Sequence, residues 1–407
     1  MAQTSVARLA IEGGTPIRSK PWPAWPVWDE GEIEALASVV RSGKWFGPSG
    51  TQVNAFAGRW AAYCGARYAA PCTNGTQALE IALRAAGVRV GDEVIIPPYT
   101  FIATASSVVQ VNAVPVFADI DPDSYNLDPQ AAEAAITGRT RAILVVHIGG
   151  CPADMDAFRA LAERRGLVLL EDAAQAHGAR WRGQHVGALG QAGTFSFQAS
   201  KNLNAGEGGC VVTNDEDCYL AASSLINVGR VPGGQWYQHG LLSGNYRMTE
   251  WQAALLLAQL RRLDEQTARR NENALYLARQ LAEIPGIAPL KRDERVTCHA
   301  YHLFIFRYDA SAFRGLPRDE FLRALAAEGI PCSRGYHPLY RSDAFRVDAA
   351  THPFAGARDY RSLYLPVVER ACDEEACWLT QSMLLAERQD MDDIVAAIRK
   401  IQATRSR

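Results

Sequence analysis

Lys201 stands between an apolar run and a glycine-rich turn, in Gly193-Thr-Phe-Ser-Phe-Gln-Ala-Ser-Lys201-Asn-Leu-Asn-Ala-Gly-Glu-Gly-Gly209, with Ser196 five positions before it. A lysine is expensive to bury for structure alone, and service as an amine nucleophile would justify the place. An exposed loop lysine would carry the same neighbours. The second reactive element is Glu171-Asp172-Ala-Ala-Gln175-Ala-His177-Gly178, at the carboxyl end of an apolar run. Ligands of open α/β sheets bind beyond the carboxyl ends of strands, so an acid here either meets a bound ring or caps a helix. The third element, Thr73-Asn-Gly75-Thr76, opens a helical pattern. Backbone N–H groups at a helix start, a hydroxyl beside them and a glycine allowing close approach form an anion site, in a pattern that ordinary strand-helix turns share.

These residues need a scaffold that brings them together. The run Tyr68–Cys72 precedes Ala78, Leu79, Ala82 and Leu83 at helical spacing, which predicts strand, tight turn and helix. Residues 94–97, 115–119, 142–148 and 167–172 predict further strands, with helical pattern from about 100, over 129–135 and over 154–163. Strands that are apolar throughout and alternate with helices imply an α/β fold, a mostly parallel sheet covered on both faces. A strand at 208–213 and a helix through 225 follow, then a Gly-rich loop over 228–244 of the length that is more often functional than accidental. One long helix is predicted from about 249 until Pro285-Gly286 stops it, with the domain boundary inside it: a large domain 1–265 and a small α+β domain 266–407. In the small domain a strand is predicted at 302–308, a helix at 317–328, a strand near 330–334 and a last helix. Met391, Ile394, Val395, Ile398 and Ile401 form one apolar stripe on that last helix. Anion site, strand-end acid and glycine-flanked lysine, in that order along one α/β domain, meet the needs of pyridoxal 5′-phosphate. They offer a phosphate cradle, a partner for the pyridine nitrogen and an amine for the aldehyde.

Composition bounds the alternatives. The chain has 407 residues, enough for about two to three domains with a large core. Lys plus Arg number 42 and Asp plus Glu 44, a net charge of −2, without the basic excess that nucleic acid binding requires. Apolar runs such as 253–258 fall far short of the ~20 residues of a membrane span. No secretory signal is read in the first residues. Nine scattered cysteines without a C-x-x-C pair fit a reduced cytoplasm, most of them as small core residues. Asp119-Ile-Asp121-Pro-Asp123 begins like a calcium loop, but Ser124 stands where that loop needs Gly and Gln130 where it needs Glu, and no metal site is expected. Trp22, Trp25, Trp28 and Trp45 read as packing residues.

Six segments in order, Asn74-Gly-Thr76, Pro97-Pro-Tyr-Thr-Phe101, Glu171 to Gly178, Ser196-Phe through Lys201, Gly206-Glu-Gly-Gly209 and Gly244-Asn-Tyr-Arg-Met-Thr-Glu250, resemble the DegT/DnrJ/EryC1/StrS aminotransferases over nearly the whole chain. The resemblance implies the type I pyridoxal-phosphate fold of aspartate aminotransferase. It implies transfer of an amino group from glutamate or glutamine to a keto-sugar or a keto-cyclitol such as an inosose, in secondary-metabolite or polysaccharide biosynthesis. By position it makes Lys201 the lysine that condenses with the cofactor aldehyde and Asp172 the partner of the pyridinium. Gln175 falls at the phenolic oxygen, Phe101 at the stacked ring, and Gly75, Thr76 and Ser196 at the phosphate. Asn245 matches a residue that reaches the phosphate of the neighbouring subunit, which implies a homodimer with shared active sites. On the substrate side the resemblance points to Trp45, Tyr99 and His337, the last in Gly335-Tyr-His337-Pro-Leu-Tyr340.

Three rival readings bear on this resemblance. A sugar dehydratase of the same family has histidine at the lysine position, so Lys201 argues against it. A 3-amino-5-hydroxybenzoate synthase-like enzyme has histidine where Gln175 stands, which weakens that reading. A non-catalytic regulator on the same fold has no use for an intact lysine, acid and cradle.

Overall fold

The computed structural model describes residues 8–405. Its centre is a seven-stranded sheet in the order Tyr68–Cys72, Gly209–Thr213, Ala192–Ser196, Val168–Asp172, Thr140–Val146, Glu93–Ile96, Val114–Phe117. All neighbours are parallel except Gly209–Thr213, which runs antiparallel to both of its partners. Alternation along each strand fills two separate cores. Val94, Ile96, Leu144, Leu170 and Val211 enter one, and Ile95, Ile143, Val145, Leu169 and Val212 enter the other. Side chains on adjacent strand residues point to opposite faces, so continuous apolar runs are what a sheet covered on both sides requires. Each fully buried aliphatic side chain contributes about 1.5–3 kcal/mol.

The C-terminal layer holds an antiparallel sheet of Ile287–Pro289, Leu303–Tyr308 and Ala376–Thr380. The last helix, Arg388–Arg405, buries Met391, Ile394, Val395, Ile398 and Ile401, as its stripe predicts. Two expectations need correction. The single helix over 249–282 is two, Glu250–Leu260 and Leu263–Ala282. The break falls where Arg262 turns aside to donate to Asp29 Oδ2 at 2.7 Å and to the Val27 carbonyl at 3.1 Å, anchoring the N-terminal helix Glu30–Ser42. Residues 330–334 form no strand. Ser333 alone pairs with Trp378, and Gly335 at φ +86° turns the chain away. Segment 9–22 packs against the C-terminal layer. Leu9 and Trp22 join the C-terminal core, and Glu328 accepts from the Ala10 and Ile17 backbone at 2.8 and 3.0 Å.

All nine cysteines are free and seven are buried, which matches their reading as core residues. The packing reading of the tryptophans holds for Trp25, whose Nε1 donates to the Ala199 carbonyl at 2.9 Å, and for Trp22. Trp28 and Trp45 are 65% and 51% exposed, Trp45 keeping one face on Trp251. No helix among the described residues is long and apolar enough to cross a membrane, and no His/Cys/Asp/Glu cluster among them suits a metal.

Candidate active site

Three strands deliver the reactive residues to one end of the sheet. Asp172 is the last residue of its strand, Ser196 the last of the next, and Gly75 the first residue of the helix that follows Tyr68–Cys72. A cavity of about 700 Å³ opens there, and Gly75, Thr76, Phe101, Asp172, Gln175, Ser196 and Lys201 all line it.

The pair Glu171-Asp172 shows why neighbouring acids have different fates. Consecutive strand residues face opposite ways. Glu171 points under the sheet, where it accepts from the backbone N–H of Gly187, Leu189 and Gly190 at 2.6–2.7 Å and faces His147 Nε2 at 3.0 Å. It holds a loop. Asp172 faces the cavity: Thr104 Oγ1 donates to its Oδ2 at 2.8 Å and the Ala174 N–H to its Oδ1 at 3.2 Å. Burial raises its carboxyl above the usual range, against the lowering pull of Thr104, Ala174 and Lys201.

Lys201 sits on a loop tied to itself. Ala199 N–H donates to the Gly206 carbonyl, Ala205 N–H to Phe197 and Lys201 N–H to Gln198, at 2.8–2.9 Å. Burial draws the lysine amine down to about 8, with Asp172 pulling the other way. An amine so placed is substantially neutral in mildly alkaline solution.

The anion cradle is built on close contacts that glycine alone permits. A Cβ on Gly75 would lie 2.6 Å from the Ser196 Cβ, and one on Gly209 would lie 2.2 Å from the Asn74 carbonyl oxygen. Asn74 caps the helix Gly75–Ala85 by accepting from Gln77 N–H at 2.9 Å. Helix N-terminal amides with the Thr76 and Ser196 hydroxyls are a donor set suited to a phosphate ester. Beyond the cradle, Gln175 is oriented from both sides: its Oε1 accepts from Gly149 N–H at 2.7 Å, and its Nε2 donates to Tyr336 OH at 3.0 Å. Acid, amine and cradle on one wall fit pyridoxal 5′-phosphate.

Other expected residues lie elsewhere. Asn245 is exposed and outside this cavity, on the strip that pairs with Asn227. Trp45 packs on Trp251 with ring centroids 5.3 Å apart, and His337 is exposed; neither lines the cavity. Tyr99 is wholly buried behind the wall, where its hydroxyl accepts from Trp378 Nε1 at 2.8 Å. The neighbour of His337, Tyr336, lines the cavity instead, and so do His302, Thr100, Gln198, Glu80 and Glu207. No sequence signal marked His302, which arrives about a hundred residues after Lys201. The His302-Leu-Phe strand start offered only a secondary-structure reading.

The model of the DegT/DnrJ/EryC1/StrS aminotransferase family matches residues 26–383. The chain belongs to this family. It is a pyridoxal-phosphate-dependent aminotransferase with the type I fold. A Streptomyces kanamyceticus protein, provisionally named L-glutamine:3-amino-2,3-dideoxy-scyllo-inosose aminotransferase, is 43% identical, with 97% of each chain covered. The L-glutamine:2-deoxy-scyllo-inosose aminotransferase of Streptoalloteichus tenebrarius is 42% identical, again with 97% of each chain covered. Among solved structures, 3-amino-5-hydroxybenzoic acid synthase superposes with a TM-score of 0.86 at 36% identity, covering 95% of this chain and all of that one.

Proposed function

We propose that the chain transfers the amino group of L-glutamine to the carbonyl of a free keto-cyclitol of the 2-deoxy-scyllo-inosose type. The observation that carries the choice of substrate is the cavity lining. Amides and hydroxyls are joined there by three carboxylates, Glu80, Asp172 and Glu207, and Lys201 is the one lysine or arginine among the described lining residues. A polyol finds hydrogen-bond partners in such a surface, whereas the diphosphate of a nucleotide-linked sugar meets like charge. The names of the relatives support both donor and acceptor.

Pyridoxal 5′-phosphate, when bound, supplies an aldehyde that takes up the amino group and a ring that withdraws electrons. Gly75, Thr76 and Ser196 would hold its phosphate, Phe101 would cover its ring, Gln175 would meet its phenolic oxygen, and Asp172 would keep its ring nitrogen protonated. Lys201 Nζ takes the proton from the donor α-carbon. After the keto-cyclitol enters, the same amine returns a proton to the carbon that accepts nitrogen.

The working unit is a homodimer in the cytoplasm, with Asn245 serving the phosphate of the opposite site. Two facts support this arrangement: Asn245 is exposed away from its own cavity, and Phe101 on the rim and Trp236, Tyr237 and Leu242 on the 228–244 loop are exposed by 57–93%. A synthase of the 3-amino-5-hydroxybenzoate type is the second reading. It is favoured by the solved-structure match and opposed by Gln175. The test loads the enzyme with amino groups from glutamine and follows loss of the aminated cofactor's absorbance on adding keto-cyclitols or nucleotide-linked keto-sugars. Consumption by keto-cyclitols alone is the expected result, and consumption by nucleotide sugars alone overturns the reading.

A further inference from the structure

His302 has one ring nitrogen committed and the other free. Asn202 gives its amide nitrogen to the Ala300 carbonyl at 2.8 Å, so the amide oxygen is the atom that faces His302 Nδ1, at 3.3 Å. An amide oxygen accepts only, and Nδ1 therefore carries the proton. A neutral imidazole with Nδ1 protonated presents a bare Nε2, and among the described residues nothing donates to it. The ring lines the cavity that also holds Lys201.

Its surroundings keep it neutral. Burial is the largest influence, followed by Lys201, His177 and Arg270, and every one of them disfavours a second proton. His177 is buried among the rings of Trp60, Phe195 and Phe197, and burial takes its imidazole down to about 3. Arg270 is buried too and donates to Gln381 Oε1 at 2.6 and 3.0 Å, without a carboxylate partner in any ion pair among the described residues. A carboxylate in the place of His302 would pair with the Lys201 ammonium and hold it charged. An imidazole accepts a hydrogen bond there and leaves the amine free to lose its proton.

We propose that His302 Nε2 is the acceptor for one hydroxyl of the keto-cyclitol, which makes His302 a specificity-determining residue on the inner wall of the cavity. The proposal rests on the keto-cyclitol reading of the substrate. A polyol entering a largely buried site needs a partner for each hydroxyl, and a site built to accept a given hydroxyl discriminates against the analogue that lacks it. Asn202, adjacent to Lys201 in sequence, sets the tautomer and so acts as a positioning residue.

Two measurements on the full-length chain test this. Long-range nitrogen–proton correlation spectra of the histidine rings, assigned by loss of one signal in His302→Gln, report which nitrogen holds the proton. Steady-state kinetics then compare wild type, His302→Asn and His302→Gln on keto-cyclitols that each lack one hydroxyl. Asn keeps a donor for Asn202 and removes the acceptor, while Gln carries an amide oxygen to the Nε2 position. The expected result is a proton on Nδ1, with KM for the parent keto-cyclitol raised about five- to tenfold in His302→Asn and largely restored in His302→Gln. One deoxy analogue shows no further loss in His302→Asn, because its hydroxyl is the one His302 receives. A proton on Nε2, an unchanged KM, or a loss spread equally over all analogues overturns the proposal. Wild-type turnover of the parent keto-cyclitol decides the substrate reading separately. Without that turnover both fall, and with it the analogue series judges His302 alone.

Discussion

Thr104 Oγ1 donates to Asp172 Oδ2 across 2.8 Å, and the Thr100 hydroxyl lies 3.0 Å behind it. Burial alone favours a neutral carboxyl, and this donor works against that preference, so a residue outside the acid's own strand maintains its charge. Replacing Thr104 with Val removes the donor at nearly constant shape. A hydrogen bond to a charged group contributes about 1.5–3 kcal/mol, so kcat falls by about tenfold or more in Thr104→Val and recovers in Thr104→Ser. Spectra of the bound cofactor check the cause, since protonation of its ring nitrogen weakens in Val and returns in Ser.

Lys201 predicts a pH dependence for cofactor capture. Burial lowers its amine to about 8, and only the neutral form attacks an aldehyde. Below that point the neutral fraction falls about tenfold per pH unit, and above it the fraction saturates. The rate at which the cofactor-free protein takes up pyridoxal 5′-phosphate should therefore climb to about pH 8 and then level. An ordinary lysine would keep climbing toward 10.5, and stopped-flow absorbance separates the two profiles.

Gly75→Ala tests the cradle. The added methyl would lie 2.6 Å from the Ser196 Cβ, so the helix start and the strand end must separate. Overpacking of this kind costs about 1–3 kcal/mol. The expected outcome is at least tenfold weaker cofactor binding by fluorescence titration, together with a lower Tm. Gly58→Ala, in a helix with nothing within 4 Å of the new methyl, serves as the control and should bind normally.

Shared sites predict complementation. Lys201→Ala and Asn245→Ala chains are each deficient alone. Co-expression makes about half of the dimers mixed, and in these one site regains both residues. Activity should rise to about a quarter of wild type, measured on the whole co-expressed protein without separation of its dimers. No gain over the better single variant would show that Asn245 acts within its own chain or not at all.

The sequence disclosed most of the cavity because its key residues are local to strand ends. Asp172 closes an apolar run, Ser196 precedes a glycine-rich turn, and Gly75 opens a helix, so chain order alone put them at one end of a parallel sheet. Residues that reach the cavity by packing left no such signal. His302 and Tyr336 come from the C-terminal layer, and Tyr336 is held there by Gln175 and by edge contact with Tyr99 and Trp378. The resemblance points to His337, and in the structure its neighbour Tyr336 is the residue that lines the cavity. Gly335, with a Cβ position 2.8 Å from the Trp378 ring, turns the chain so that Tyr336 faces inward and His337 faces solvent. The break at Arg261-Arg262 was equally hidden. The apolar pattern runs on through it, and the partner that Arg262 meets there, Asp29, lies more than two hundred residues earlier.

The most direct measurement is product analysis by mass spectrometry after incubating the holoenzyme with amide- and amine-labelled L-glutamine and 2-deoxy-scyllo-inosose. The account predicts a cyclitol carrying the labelled α-amino nitrogen at the former carbonyl carbon, and none from Lys201→Ala with an unchanged circular dichroism spectrum. Undiminished amination by Lys201→Ala would contradict it, as would nitrogen arriving only from the glutamine side-chain amide.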